Sequence, residues 1–140
     1  MCNKNLGFSL IELLVVLVIM GMLAGLVGPR LFTKVDSSKV KTAQTQVKML
    51  KAGLQSYRLD VGKYPTTEEG LSALISKPSG VKYWQGPYLE DQLPSDPWNN
   101  PYIYEAGVDN LQGFALYSFG ADNQTGGDGL DADIGYLPNS

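Results

Sequence analysis

Two groups of residues in this sequence have the types and spacing to do chemistry. At the N-terminus, Glu12 stands five positions after Gly7, at the edge of Leu13–Pro29, a run of seventeen residues with no charged or strongly polar side chain. A carboxylate at membrane depth costs on the order of 2–10 kcal/mol and usually has a partner. No Lys or Arg lies nearby on the same helical face. The simplest partner is a new amino group, freed by cutting after Gly7, on the same or an adjacent chain. The second group is the segment Gly120–Gly135, where Asp122, Asp128, Asp131 and Asp133 are interleaved with five glycines. Like charges on so flexible a backbone repel one another. Hard oxygen donors suit Ca2+, which takes about six to eight oxygens at about 2.3–2.6 Å. The EF-hand spacing is absent, and composition alone leaves a calcium loop and a solvated acidic tail both open.

What is missing excludes other chemistries. The chain has no His, and its only Cys is Cys2. Zinc sites of the usual Cys/His kind, Ser-His triads and Cys-His nucleophiles are therefore unavailable, and so is an internal disulfide. No paired-carboxylate cleft is supported either, so an enzyme is the least favoured class. The net charge of −3 conceals an uneven layout, since all eleven Lys and Arg lie at or before Lys82 and nine of the fourteen acids follow it. The acidic second half cannot neutralise phosphates, which argues against nucleic acid as its partner. It suits a cation or an oppositely charged neighbouring protein.

The elements that position these residues follow from the hydrophobic pattern. At 140 residues the chain supports one modest domain. A secretory signal would place its apolar core before the cleavage site, whereas here the polar Met1–Gly7 precedes the apolar run. A plain N-terminal anchor of roughly 17–25 apolar residues is the competing reading, and Glu12 is what speaks against it. Gly21, Gly25 and Gly28 recur at spacings of four and three, which lets helices approach closely in lipid or merely adds flexibility. Pro29 removes a backbone bond and loosens the helix there. Arg30 and Lys34 mark emergence from the apolar layer; their charge favours the opposite orientation to an outward-facing head.

Beyond them Val40, Ala43, Val47, Leu50, Leu54, Tyr57 and Val61 step by three and four without a miss. They form one amphipathic stripe suited to packing on the chain's own sheet, with a coiled coil as the weaker reading. One helix is expected from Phe8 to about Val61, closed by Gly62. A short helix is expected over Thr67–Ile75, capped by Thr66 or Thr67. Loops pinned by Tyr83, Trp84 and Tyr88 follow. A turn at Asp96–Pro101 leads to strands over Tyr102–Glu105 and Gly113–Gly120, a hairpin that needs the helix to cover one face. Trp84 and Trp98 read as packing anchors.

Gly7-Phe8-Ser9-Leu10-Ile11-Glu12-Leu13-Leu14-Val15-Val16 resembles the cleavage and methylation motif of type IV prepilins and pseudopilins. The resemblance implies that a prepilin peptidase cuts after Gly7 and methylates Phe8, and that Glu12 neutralises a neighbour's new N-terminus during assembly. Ser9 replaces the commoner Thr, and one Lys in the leader is fewer basic residues than many relatives carry. Gly62–Leu71, Gly86-Pro87-Tyr88-Leu89 and Asp96–Tyr102 extend the resemblance over nearly the whole chain. They resemble the major pseudopilins of type II secretion systems, the general secretion pathway protein G family.

That family implies an α+β, type IV pilin-like fold: a long N-terminal helix, half transmembrane and half amphipathic, packed on a small antiparallel sheet with a calcium-binding C-terminal loop. It implies a leader at 1–7, a transmembrane and filament-core helix at 8–32, and a periplasmic head at 33–140 on a single-pass inner-membrane anchor. The positions matching its calcium motif are Asp122, Asp131 and Asp133, with a main-chain carbonyl near Phe119. Asp128 is a further candidate, because loop length varies there. The implied partners are other copies of the chain, minor pseudopilins, the prepilin peptidase and the inner-membrane secretion platform. The implied function is the major subunit of the pseudopilus, which drives export of folded proteins across the outer membrane. A type IV pilin for adhesion or motility is the alternative; such pilins commonly close their C-terminal region with a disulfide, which this chain cannot form.

Overall fold

The computed structural model describes residues 7–139. The expected leader therefore lies outside the described residues, apart from Gly7. The chain divides into two compact units, Met1–Asp36 and Ser37–Ser140. Both draw on one helix, α1, which runs Leu10–Val61.

In the first unit α1 begins at Leu10, two residues later than the expected Phe8. Ser9 is the reason. Its hydroxyl accepts from the Glu12 N–H at 3.3 Å and its carbonyl from the Leu13 N–H at 3.2 Å, so it serves as the helix cap. Pro29 is accommodated within the helix, and its carbonyl accepts from the Thr33 hydroxyl at 3.0 Å. Every large apolar side chain from Phe8 to Val35 is exposed. The most apolar eighteen-residue window has a mean hydropathy of 2.8 and none of it is buried. Such a surface is stable only in lipid or against other helices.

In the second unit, the remainder of α1 lays its stripe on the sheet. Ala43, Val47, Leu50, Leu54 and Tyr57 are buried, as their spacing requires, and Gly53 joins them. The Gly53 position is tight: an added Cβ would stand 3.2 Å from the side-chain end of Leu74 and 3.3 Å from that of Leu89, and both would have to give way. Gly62 ends the helix, its N–H bonded to the Arg58 carbonyl at 2.8 Å.

The expected helix at Thr67–Ile75 is instead a turn followed by a single 3-10 turn, Leu71–Leu74. The cap itself is present. Thr66 N–H donates to Glu69 Oε2 at 3.0 Å and Glu69 N–H to Thr66 Oγ1 at 3.2 Å, a reciprocal capping box. Gly70, at φ 62°, then breaks the helical path before a second turn can form. Thr67 uses its hydroxyl elsewhere, accepting from the Ala106 N–H at 3.0 Å.

The sheet has three strands, not the expected two. Strand β1 (Ile103–Ala106) pairs antiparallel with β2 (Phe114–Ser118), which pairs antiparallel with β3 (Ile134–Tyr136). The central strand is buried along its whole length. Phe114 and Leu116 join Leu50, Leu54, Tyr57 and Leu74 in the core. Strand β3 contains Gly135 at φ 133°, where a Cβ would fall 2.2 Å from the Leu116 carbonyl oxygen. Glycine there lets the third strand lie against the second.

Trp84 is a packing residue as expected, its indole N–H donating to the Ala73 carbonyl at 2.8 Å and its ring edge-on to Tyr88. Tyr83 is not: it is 74% exposed and pins nothing.

Candidate functional site

The N-terminal candidates lie on the first turns of the exposed apolar helix. Phe8 is 79% exposed immediately before the Ser9 cap, and Glu12 lies in the first turn of α1. Ser9 and Glu12 stand three apart, so part of what Glu12 does is local: an acid in the first turn complements the positive end of the helix dipole. Its carboxylate is exposed. The arrangement therefore places an exposed acid in the first helical turn, four residues after Phe8.

The C-terminal candidates lie on the segment that joins β2 to β3. Phe119 stands where β2 ends, its ring edge-on to Tyr117 at 5.3 Å. Gly120 follows at φ 77°, where a Cβ would come within 2.7 Å of the Ala132 carbonyl oxygen and 2.8 Å of that of Leu130. The entry and exit of the loop thus cross at a point only glycine can occupy. Ala121 N–H closes the crossing onto the Leu130 carbonyl at 2.9 Å. Beyond it residues 121–131 are exposed.

Within this frame the four acids have different environments. Asp133 is the one turned inward. Its Oδ2 accepts from the Gly126 N–H at 3.0 Å, and its Oδ1 is buried with no hydrogen-bond partner among the described residues. Asp122 Oδ1 accepts from the Gln124 N–H at 3.1 Å in a local turn. Asp131 donates its N–H to the Asp128 carbonyl at 3.1 Å, and the side chains of both are exposed. Among the described residues no three acidic side chains converge on one point. The loop thus brings together the backbone turns that carry Asp122, Asp131 and Asp133, but not the three carboxylates. One observation fits a cation: a buried carboxylate oxygen left without a partner is costly, and a positive ion offsets that cost. The Tyr117 phenol nearby is held above its usual pKa by burial, then by the charges of Glu105 and Asp133.

A residue read in the sequence only as part of a turn proves central. Asp96 is 3% exposed, yet it is a carboxylate. Its Oδ1 accepts from the Trp98 and Asn100 N–H groups at 3.0 and 2.8 Å, and its Oδ2 from the Ser118 hydroxyl at 2.6 Å. Ser118 Oγ in turn accepts from the Gly120 N–H at 3.1 Å. A buried carboxylate is stabilised where N–H and O–H donors satisfy both of its oxygens. The Asp-Pro-Trp-Asn-Asn run signalled a turn; the link to the acidic loop had no local signal.

Residues 30–137 match the family model of type II secretion system protein G, and residues 2–28 match the prokaryotic N-terminal methylation motif. The chain is 46% identical to the type II secretion system core protein G of Pseudomonas aeruginosa, over 98% of both chains. It is 41% identical to the core protein G of Vibrio cholerae, over 95% of this chain and 92% of that one. Among solved structures it resembles the major pseudopilin from the type 2 secretion system of enterohaemorrhagic Escherichia coli. The TM-score there is 0.59 and the identity 32%, covering 76% of this chain and 92% of that one.

Proposed function

The chain belongs to the type II secretion system protein G family, and on that footing we propose how its own residues carry out the family's task. It is a membrane-anchored structural subunit of the pseudopilus, within a multi-subunit secretion system. The precursor is cut after Gly7 and methylated at Phe8 by a prepilin peptidase. The apolar helix at 8–32 holds the subunit in the inner membrane, with the head at 33–140 in the periplasm. The inner-membrane platform and minor pseudopilins act with it in assembly.

The observation that carries this reading is the wholly exposed apolar surface from Phe8 to Val35 with an acid in its first turn. In lipid, and then against neighbouring helices, those side chains lose no contact they now have. Glu12 supplies the one attraction with a direction, pairing with the amino group of an adjacent Phe8 and so setting the axial register of an incoming subunit. A pilin for adhesion is the less favoured alternative, since the family match runs through the head as well as the helix.

The loop after β2 is the proposed calcium site. Asp133 Oδ1 is its anchor, Asp122 and Asp131 are the further side-chain donors, Asp128 is a spare, and the Phe119 carbonyl completes the set. When bound, calcium supplies charge neutralisation and a cross-link between the loop's two limbs. Asp133 holds one limb through Gly126, and the Asp96–Ser118–Gly120 chain holds the other.

Mass spectrometry of the mature protein tests the processing step, with an N-methylated Phe8 as the expected terminus. A mature protein that still begins at Met1 would remove it.

A further inference from the structure

The head carries a basic pocket that the reading above does not use. Val61, Lys63, Glu69, Val81, Lys82 and Tyr83 line a cavity of about 310 Å³ at the C-terminal end of α1. Its one acid, Glu69, is already engaged by the Thr66 N–H. Among the described residues neither Lys63 nor Lys82 has an ion-pair partner. Tyr83 stands at its rim with φ 67°, a conformation that a bulky non-glycine residue adopts only under constraint. The constraint comes from its neighbours: Trp84 is bonded to Ala73, Gln85 N–H donates to Tyr88 Oη at 2.9 Å, and Tyr88 Oη–H donates to Asp60 Oδ2 at 2.9 Å. A rigid loop thus holds an aromatic ring out in water between lysines.

The complementary surface is on the same head. Residues 121–131 are exposed and acidic, with no Lys or Arg after Lys82 to neutralise them. The Asp128 carboxylate has no partner among the described residues, and it is the acid least needed for the calcium site. The return limb of this loop lies beside Val40, Gln44 and Lys48, whereas the basic pocket abuts Val61. At 1.5 Å per residue, Gln44 and Val61 stand about 26 Å apart along the helix. The return limb of the acidic loop and the basic pocket of one head thus lie at different levels along α1.

We propose that the Lys63–Lys82–Tyr83 pocket receives the acidic loop tip around Asp128 of a second copy of this chain. Two different patches at separated positions make a heterologous contact, which propagates instead of closing into a two-fold dimer. Exposed ion pairs are individually weak and screened by salt; the apolar helices supply the adhesion, and this contact fixes how each head is turned. The proposal rests on the pseudopilus reading and adds to it a specific head-to-head contact.

The test uses the full chain expressed with its secretion system, in a Cys2→Ser background free of native thiols. Tyr83→Cys combined with Asp128→Cys should give, on mild oxidation of assembled pseudopili, a ladder of multimers, while each single-cysteine variant stays largely monomeric. Lys63→Glu with Lys82→Glu should lower the assembled fraction at least fivefold with an unchanged melting temperature. Adding Asp128→Lys should recover at least half of it. Normal pseudopili that yield no ladder, or a lysine double variant that assembles like wild type, would overturn the contact and leave the family reading standing. The same holds if that variant assembles normally and loses only export, since the pocket then serves another partner. Failure of the unmodified chain to form any pseudopilus would overturn the reading beneath the proposal, and the proposal with it.

Discussion

Asp96 accepts a 2.6 Å hydrogen bond from the hydroxyl of Ser118, and this single contact joins the turn before β1 to the point where β2 gives way to the acidic loop. Both residues are buried, at 3% and 0% exposure. The turn holds the carboxylate through two backbone N–H groups, and Ser118 passes the constraint on to Gly120, the crossing point of the loop. The loop's base is thus ordered from the protein interior, before any ion is considered.

Asp96→Ala strands the Trp98 and Asn100 N–H groups and the Ser118 hydroxyl in a buried site. Hydrogen bonds to a charged group contribute about 1.5–3 kcal/mol each, with strong overlap between neighbours. We expect a loss of about 2–4 kcal/mol in denaturant unfolding of the detergent-solubilised protein. Ser118→Ala keeps the turn and loses about 1 kcal/mol. Equal effects of the two would show that the link to β2, and not the turn, is what Asp96 supports.

Glu12→Ala removes the acid from the first turn of α1 and leaves the Ser9 cap in place. Membrane insertion and cleavage after Gly7 are expected to proceed, while pseudopilus assembly fails. Immunoblots separating precursor from mature chain, with sheared pseudopili quantified alongside, read both. Full assembly by this variant would remove the assigned role of Glu12.

Calcium removal should act on the loop. With EGTA the melting temperature should fall, and the amides of Gly126 and Ala121 should exchange faster. Asp133→Asn should lower the melting temperature in calcium buffer and abolish most of the response to EGTA. An unchanged melting curve, together with an ordered loop in metal-free buffer, would eliminate the site.

Alkaline pH should destabilise the head through its buried phenols. Burial raises the pKa of Tyr102 and Tyr104 above the ordinary value of 10.0, with the charge of Asp96 adding to the first and neighbouring tyrosines and Glu69 adding to the second. A raised folded pKa means that the native state holds the proton more tightly than the unfolded chain. The associated stability is complete below about pH 10 and falls as pH rises above it. Absorbance titration near 295 nm should show that a part of the eight tyrosines, Tyr102 and Tyr104 among them, ionises only with unfolding. Ionisation of all eight in a single step near pH 10, with the fold intact, would contradict the burial.

Much of this architecture was legible locally. The stripe from Val40 to Val61 declares a helix and its buried face, because helical periodicity is a property of neighbouring residues. Thr66 and Glu69 form the capping box their spacing allows, although Gly70 prevents the expected helix. Strand β3 was not legible. Ile134-Gly135-Tyr136 is too short to show alternation and has a glycine at its centre, and its strand character comes only from pairing with Leu116–Ser118. Tyr83 departs from its expected place in the core for a related reason. An aromatic among aromatics resembles core, and only the path of the backbone through the 81–88 loop turns it outward.

The sequence by itself determined the covalent and periodic facts: Gly7, Phe8 and Glu12 at their offsets, an uncharged run after them, a stripe that repeats every three or four residues, and acids segregated from bases. Each is decided within a few residues along the chain. Tertiary structure alone decided which carboxylate oxygens are buried. Asp96 and Asp133 look no different in sequence from Asp122 and Asp128; burial depends on strands and turns brought together from distant positions, and no local pattern encodes that meeting.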